Sequence, residues 1–325
     1  MDNHTDKIMN IGEAINRFVF NGCHMSVGGF TINRNPMAAV YETIRQNIQN
    51  IHLYAHSNGQ GVDELTGAGC LIKLEIAYGG SGRFAPTCIR FKKAVQEGTL
   101  IIEDYSNYQM TLRFQAGAMG VPFLPTLSSL GTDIVSKWGF SEEMRTKDPR
   151  IPDQKLIVMD NPFGTWTDTK KVVLVPAINP DVTIIHAQKA DYQGTVRMEG
   201  LSFADIEQVK SAKHVIVTCE ELVEPDMLRQ NPDQNHIPFF CVDAVVHIPF
   251  GAYPTACYRY YDYDPVFLAE YAKCAKTDRD YITYLKKYVH GTKNHQALLD
   301  MVGKERLETI KADPRTGYAR NLDRR

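Results

Sequence analysis

Three short stretches hold the residue types that could do chemistry: residues 28–33 (GGFTIN), 57–61 (SNGQG) and 79–83 (GGSGR). Each has glycines, which let backbone N–H groups approach a ligand closely. Around them stand small hydroxyls (Ser57, Ser81), carboxamides (Asn33, Asn58, Gln60) and guanidinium groups (Arg34, Arg83). Such a set suits carboxylate or thioester oxygens. It contains no evident nucleophile and no acid–base pair. Other constellations fail. There is no GxxxxGK(S/T) phosphate loop. Gly59 and Gly61 are followed by Glu64 where GxGxxG needs a third glycine, and residues 79–83 lack the last glycine of GxSxG. His52 and His56 fall on a predicted strand, on one face but about 13 Å apart. They read as packing or surface histidines, and no metal site is expected. Glu103 and Asp104 are adjacent on a strand and so point to opposite faces.

The elements that must position these loops follow from hydrophobic spacing. Strands are expected at residues 24–27, 51–56, 71–77, 100–104 and 121–125. Helices are expected between them, at 37–48, 62–66, 86–96 and 108–119. Asn35–Pro36 reads as an N-cap and first-turn proline opening the helix at 37. Residues 133–166 break the pattern with prolines and mixed charge and read as an irregular insertion with a short helix near 142–146. Alternation resumes at 171–175 and runs through strands at 182–187, 195–198, 214–219 and 242–248, with a helix at 205–212. From Asp264 the pattern is helical, and residues 313–325 read as a weakly ordered tail. The pattern predicts an α/β fold: an open, mostly parallel sheet with helices on both faces, spanning residues 1–263, with a helical C-terminal extension, 264–325, packed on it. Successive parallel strands put their following loops on one rim, where open α/β sheets bind ligands.

Composition narrows the partners. The 325-residue chain has net charge −2 and no basic run before its last dozen residues, against nucleic acid or an anionic membrane as a partner. It has no apolar stretch long enough to span a bilayer and no recognisable secretory signal. Seven scattered cysteines without a CxxC pair read as reduced thiols in a cytoplasmic protein.

The first loop has a wider context. Asn21-Gly22, three residues from Met25, Gly28-Gly29-Phe30 and Pro36 together resemble the signature loop of family I coenzyme A transferases. Ser26 stands where an apolar residue is usual, and Arg34 replaces the usual later glycine. The resemblance continues through EGTLIIEDYSNYQMTLRFQAGAMGVPFLPT, DVTIIHAQKADYQGTV, HVIVTCEELVEP and IPFFCVDAVVHIPFGAYPTAC, nearly the whole chain. The long insertion, FGAYPTACYRYYDYDPVFL and the helical tail resemble the A subunits of glutaconate-type members.

The resemblance implies a CoA-transferase/NagB-like fold and a ping-pong transfer of CoA between carboxylic acids, dicarboxylic ones such as glutaconate. A glutamate attacks the acyl-CoA and carries CoA as a glutamyl thioester. In two-chain members that glutamate belongs to the B subunit, so no catalytic residue is assigned to this chain. Glu220 and Glu221 read as a turn with solvated or locally paired carboxylates. The expected partners are a B subunit, in a heterodimer or (AB)n assembly, an acyl-CoA and a free acid. Coenzyme A is a substrate, and no tightly bound cofactor is expected. The N–H groups of Gly28, Gly29 and Phe30 would donate to the oxyanion or the CoA side. Asn33, Arg34, Ser57, Asn58, Gln60, Ser81, Gly82 and Arg83 would line the acyl pocket. Two alternatives share the fold: a two-chain CoA-ester ring hydrolase or glutaconyl-type decarboxylase, and a ligand-sensing domain, which would need a DNA-binding helix-turn-helix that is not visible.

Overall fold

In the computed structural model, which describes residues 7–164 and 169–322, strands and helices alternate as the spacing predicts. The order begins α1 (Ile11–Phe18), β1 (His24–Val27), α2 (Met37–Arg45), β2 (Ile51–Asn58), α3 (Gln60–Gly67), β3 (Leu71–Gly79), α4 (Ile89–Gln96), β4 (Ile101–Asp104) and α5 (Asn107–Met119). It continues β5 (Phe123–Thr126), α6 (Glu142–Lys147), β6 (Ile157–Asp160), β7 (Lys171–Pro176), β8 (Val182–Asp191), β9 (Val196–Arg197), α7 (Asp205–Ser211), β10 (His214–Val223), α8 (Pro225–Arg229) and β11 (Ala244–His247). Four helices close the chain: α9 (Pro265–Cys274), α10 (Asp278–Leu285), α11 (His295–Val302) and α12 (Lys304–Ile310).

The main sheet runs β11-β10-β8-β1-β2-β3-β4, all parallel, with β9 antiparallel on β8. Its central strands are buried on both faces, which is why they read as nearly continuous apolar runs. From β1 the chain steps outward through β2, β3 and β4 on one side. It returns to the other side through β8, β10 and β11. The strand order therefore reverses beside β1, and the crevice beyond its carboxyl end is the switch point where such sheets bind ligands. One face packs α1 to α4 and the C-terminal helices around Ala14, Val40, Leu65 and Phe267. The other packs α5 and α7 against the sheet through Met110, Phe114 and Val209. Capping boxes start α1 (Asn10 with Glu13) and α5 (Ser106 with Gln109). None of the described helices is long and apolar enough to cross a membrane.

Several expectations are corrected. Residues 121–125 and 171–175 do not extend the parallel sheet. With β6 from the insertion, they form a separate antiparallel sheet, β5-β7-β6. Local spacing marks them as strands, but only pairing decides which sheet a strand joins. The insertion also holds the expected short helix, α6, while the Trp166 end lies outside the described residues. Asn35 does not cap α2: Pro36 sits at the cap position without a side-chain bond, and Asn35 Oδ1 accepts from Gly61 N at 3.0 Å. The tail is held through Leu322, with Ala319 N donating to Asp262 Oδ2 at 2.7 Å and Arg320 pairing with Asp313.

The C-terminal helices attach through buried tyrosines. Tyr271 donates to Asp63 (2.8 Å), and Tyr284 (2.8 Å), Tyr41 (3.0 Å) and Gln60 Nε2 (2.8 Å) all donate to Glu64 Oε1. Glu64 is fully enclosed, and burial pushes its carboxyl up to about 7 from the usual 4.5. The folded protein therefore holds this proton more tightly than the unfolded chain. The group's contribution to stability is complete below pH 4.5 and is lost as pH rises through 7. At about 1.4 kcal/mol per unit the loss reaches about 3 kcal/mol. Glu64→Gln removes the ionisation while keeping a neutral, hydrogen-bonding side chain. Urea unfolding from pH 5 to 8 should show the parent losing about 2.5 kcal/mol relative to this variant; parallel curves would show that burial does not hold the proton.

Candidate functional site

The structure brings the three glycine loops together at the carboxyl rim of β1, β2 and β3. Thr31 N donates to Ser57 O at 3.1 Å, and Gly80 N donates to Asn58 O at 3.1 Å. Asn58 is the fastener: its Nδ2 donates to Gly28 O and its Oδ1 accepts from Val62 N in α3, both at 3.1 Å. Gly59 sits where the loops meet. A Cβ there would lie 2.7 Å from Thr31 O and 2.5 Å from Gly80 O.

The N–H groups of the first loop are engaged inside the chain, so the expectation that they donate to an oxyanion is corrected. Gly28 N donates to Ile184 O (2.9 Å), Gly29 N to Asp205 Oδ1 (2.9 Å) and Phe30 N to Asn33 O (2.8 Å). These bonds shape the loop. Gly29 has φ +85, and a Cβ on it would lie 2.6 Å from the carbonyl oxygens of Asn33 and Arg34.

Arg34 is corrected most strongly. It is buried at 2% exposure, neither lining an acyl pocket with a free guanidinium nor carrying surface charge. Its Nη2 pairs with Asp205 Oδ2 at 3.2 Å and donates to Leu201 O at 3.1 Å, while Nη1 donates to His186 O at 3.1 Å. The side chain crosses from the β1 loop to the segment between β9 and α7 and locks them. Its ring neighbour Phe203 stacks on Phe30, centroids 5.1 Å apart. Burial raises the Asp205 carboxyl above its usual range, against the pull of Arg34.

The remaining expected residues divide. Ser57 is buried on the Asn107 carboxamide, and Gln60 on Glu64, which takes both out of a pocket wall. Ser81 is buried, its N–H donating to Ala85 O at 2.8 Å. Gly82 and Arg83 are exposed at the tip of the third loop, with Arg83 over the rings of Phe84 and Tyr263. Asn33 and Arg34 border a cleft of about 290 Å³, closed by Glu199, Phe203, Tyr258 and Tyr318. One rim residue, Asn107, went unnoticed in the sequence, and another, His56, was read without a place at the rim. Asn107 opens α5 beyond the carboxyl end of β4, so the loop rule that picked the other three loops could have found it. His56 had been placed with the packing or surface histidines; it stands half-buried beside Phe30, centroids 5.8 Å apart, and burial lowers its pKa. No local pattern distinguishes it.

Among the described residues, Asp205, Glu199 and Glu220 near the first loop are committed. Asp205 holds Arg34 and Gly29. Glu199 pairs with Arg259 at 3.1 Å. Glu220 is not on a turn: it lies buried in β10, bonded to His186 (2.7 Å), Tyr261 (2.6 Å) and Phe250 N (2.8 Å). Glu221 is exposed beside Lys189. The arrangement offers a shaped, glycine-rich rim with an exposed guanidinium.

An open parallel α/β sheet whose switch-point loops form such a rim defines a ligand-binding protein of the doubly wound α/β class. The chain belongs to the coenzyme A transferase family, whose family model it matches over residues 8–247. It is 39% identical over 312 residues to the A subunit of glutaconate CoA-transferase from Acidaminococcus fermentans, covering 96% of this chain and 97% of that one. The crystal structure of that enzyme superposes with a TM-score of 0.93 over 97% of this chain and 98% of its own. The A subunit of 3-oxoadipate CoA-transferase from Pseudomonas knackmussii is 32% identical, covering 89% of this chain and 95% of that one. A variant of the decarboxylase AibA/AibB matches with a TM-score of 0.68 and 29% identity over 87% of this chain and all of its own.

Proposed function

We propose that this chain is the A subunit of a two-chain CoA-transferase. It moves CoA between carboxylic acids, dicarboxylic ones such as glutaconate among them, with the attacking glutamate on a companion B chain. The observation that carries this reading is the near full-length match to the A subunit of a glutaconate CoA-transferase. The commitment of the carboxylates around the first loop supports it. The companion's carboxylate oxygen attacks the thioester carbonyl; the C–S bond breaks and an acyl-glutamyl anhydride forms. The CoA thiolate then attacks the glutamyl carbonyl, releasing the first acid and leaving a glutamyl thioester. A second carboxylate reverses these steps and leaves with CoA. In this scheme the Gly28-Gly29-Phe30 loop shapes the chamber. Gly82 and Arg83 face the acyl group, where the guanidinium suits a remote carboxylate. CoA is the substrate, and the assembled pair works in the cytoplasm.

Co-expression with the neighbouring reading frame is the test. The purified complex, incubated with labelled acyl-CoA and a second acid, should exchange CoA. It should also show a hydroxylamine-sensitive CoA adduct on the companion chain by mass. Product release without exchange would point to a hydrolase or decarboxylase. Full transfer by this chain alone, as a monomer, would overturn the division of roles.

A further inference from the structure

At the opposite end of the sheet's strands lies a cluster that the transfer reaction does not use. His24 opens β1 and His52 follows the start of β2; the two are directly in register across the parallel pair. Their rings lie 4.3 Å apart. Asp148, from the insertion just beyond α6, closes over them. One donor atom from each of the three lies within 4.8 Å of the others. We propose that His24, His52 and Asp148 bind one divalent transition-metal ion of the zinc class, which pins the insertion to the sheet.

The hydrogen bonding around the cluster favours this reading. Metal-binding imidazoles commonly engage their second nitrogen with an outer partner, which fixes the ring and its tautomer. His24 Nδ1 is bonded to Tyr54 Oη at 2.6 Å, leaving Nε2, which faces Asp148 Oδ2 at 2.9 Å. His52 Nε2 is bonded to Glu75 Oε1 at 2.8 Å, and Arg113 balances that carboxylate. This leaves His52 Nδ1, which is buried and has no hydrogen-bond partner among the described residues. A plain His24–Asp148 pair explains two of the three groups and strands the third. A bare buried polar atom costs roughly 1–3 kcal/mol, whereas a cation satisfies all three. Arg150 holds Asp148 Oδ1 at 3.0 Å and also reaches Oδ2, at 3.3 Å from its Nη2.

Geometry and chemistry agree. Two imidazoles and one carboxylate form a zinc-type donor set, with bonds near 2.0–2.2 Å that place ligand atoms about 3.3 Å apart. The donor atoms, within 4.8 Å of one another, need to close by at most about 1.5 Å per pair to reach it. The second cluster of similar composition, His186, Glu220 and Cys257, is different: Glu220 is also taken by Tyr261 and by Phe250 N, and His186, unlike His52, leaves no ring nitrogen unpartnered. The proposed site lies at the amino ends of the strands and the reaction rim at their carboxyl ends. The ion's role is therefore to hold residues 142–160, not to act on the thioester.

The test uses the full chain, freed of metal and dialysed against zinc(II) alone, with cobalt(II) as a spectroscopic probe. One equivalent of zinc should bind, and cobalt should give the visible absorption of a four-coordinate N/O site. Affinity should fall at least tenfold in His52→Gln and in Asp148→Ala. Asp148 is partly exposed on the insertion, so that variant should keep the parent's near-UV circular dichroism and remains informative if His52→Gln fails to fold. Zinc should also slow proteolysis within the insertion several-fold in the parent and not in Asp148→Ala. No zinc bound at micromolar free metal, or undiminished binding in Asp148→Ala, overturns the proposal.

Discussion

Replacing Gly29 with valine should lower kcat/KM for acyl exchange in the assembled enzyme at least about 100-fold while leaving assembly of the pair intact, because a reacting group displaced by about 1 Å loses that much. Gly29 sits at φ +85, where a β-branched residue is strained. The added Cβ would meet two backbone carbonyl oxygens, of Asn33 and Arg34, at 2.6 Å. The Asn33 oxygen cannot retreat cheaply. Asn33 O accepts from Phe30 N and from Asn35 Nδ2, which ties this turn to α3 through Gly61. The loop must therefore move as a unit, taking Phe30 and the chamber wall with it. Steady-state exchange rates read the effect, and gel filtration of the co-expressed pair reads assembly. Undiminished turnover in a properly assembled variant would remove the loop from the mechanism.

The second large effect is on stability. Arg34→Met should destabilise the chain by about 3–5 kcal/mol, the usual result of removing one partner of a buried ion pair. In a protein of this size that lowers Tm by about 4–7 °C. The substitution leaves the fully buried Asp205 carboxylate without its counter-charge and strips donors from the carbonyls of His186 and Leu201. Asp205→Asn should cost less, because a neutral amide oxygen can still accept from Gly29 N. The double variant should be more stable than the two single losses added together, since each single variant leaves one buried charge unpaired, Asp205 in Arg34→Met and Arg34 in Asp205→Asn, and the double variant leaves neither. Thermal and urea unfolding of the four proteins measure this. A loss under about 1 kcal/mol for Arg34→Met would show that the pair does not hold the loop to the β9–α7 segment.

These two residues also show how far the chain could be read without its structure. Gly29 was legible because its constraint is local: a turn between a strand and a helix needs a positive φ, and Gly-Gly between apolar and polar runs announces it. Arg34 was not. Its partners lie at His186, Leu201 and Asp205, and nothing in its neighbourhood separates a buried clamp from a ligand-binding guanidinium. The same holds for Gln60, whose carboxamide reads as a rim donor but turns inward to Glu64. The three loops were correctly placed on one rim because parallel strands force that placement. Which of their polar groups remain available depends on what the loops pack against.

By itself the sequence determined the alternation of strands and helices, the mostly parallel sheet, the glycine turns and the family, because periodicity, turn chemistry and motif spacing are properties of neighbouring residues. Only the tertiary structure decided the strand order and the separate β5-β7-β6 sheet. It alone buried Arg34 and Glu220, and it alone set His24 beside His52. Those outcomes rest on which distant segments share a sheet edge or a core, and once water is excluded each polar group must find its partner among whatever residues the topology has brought within reach.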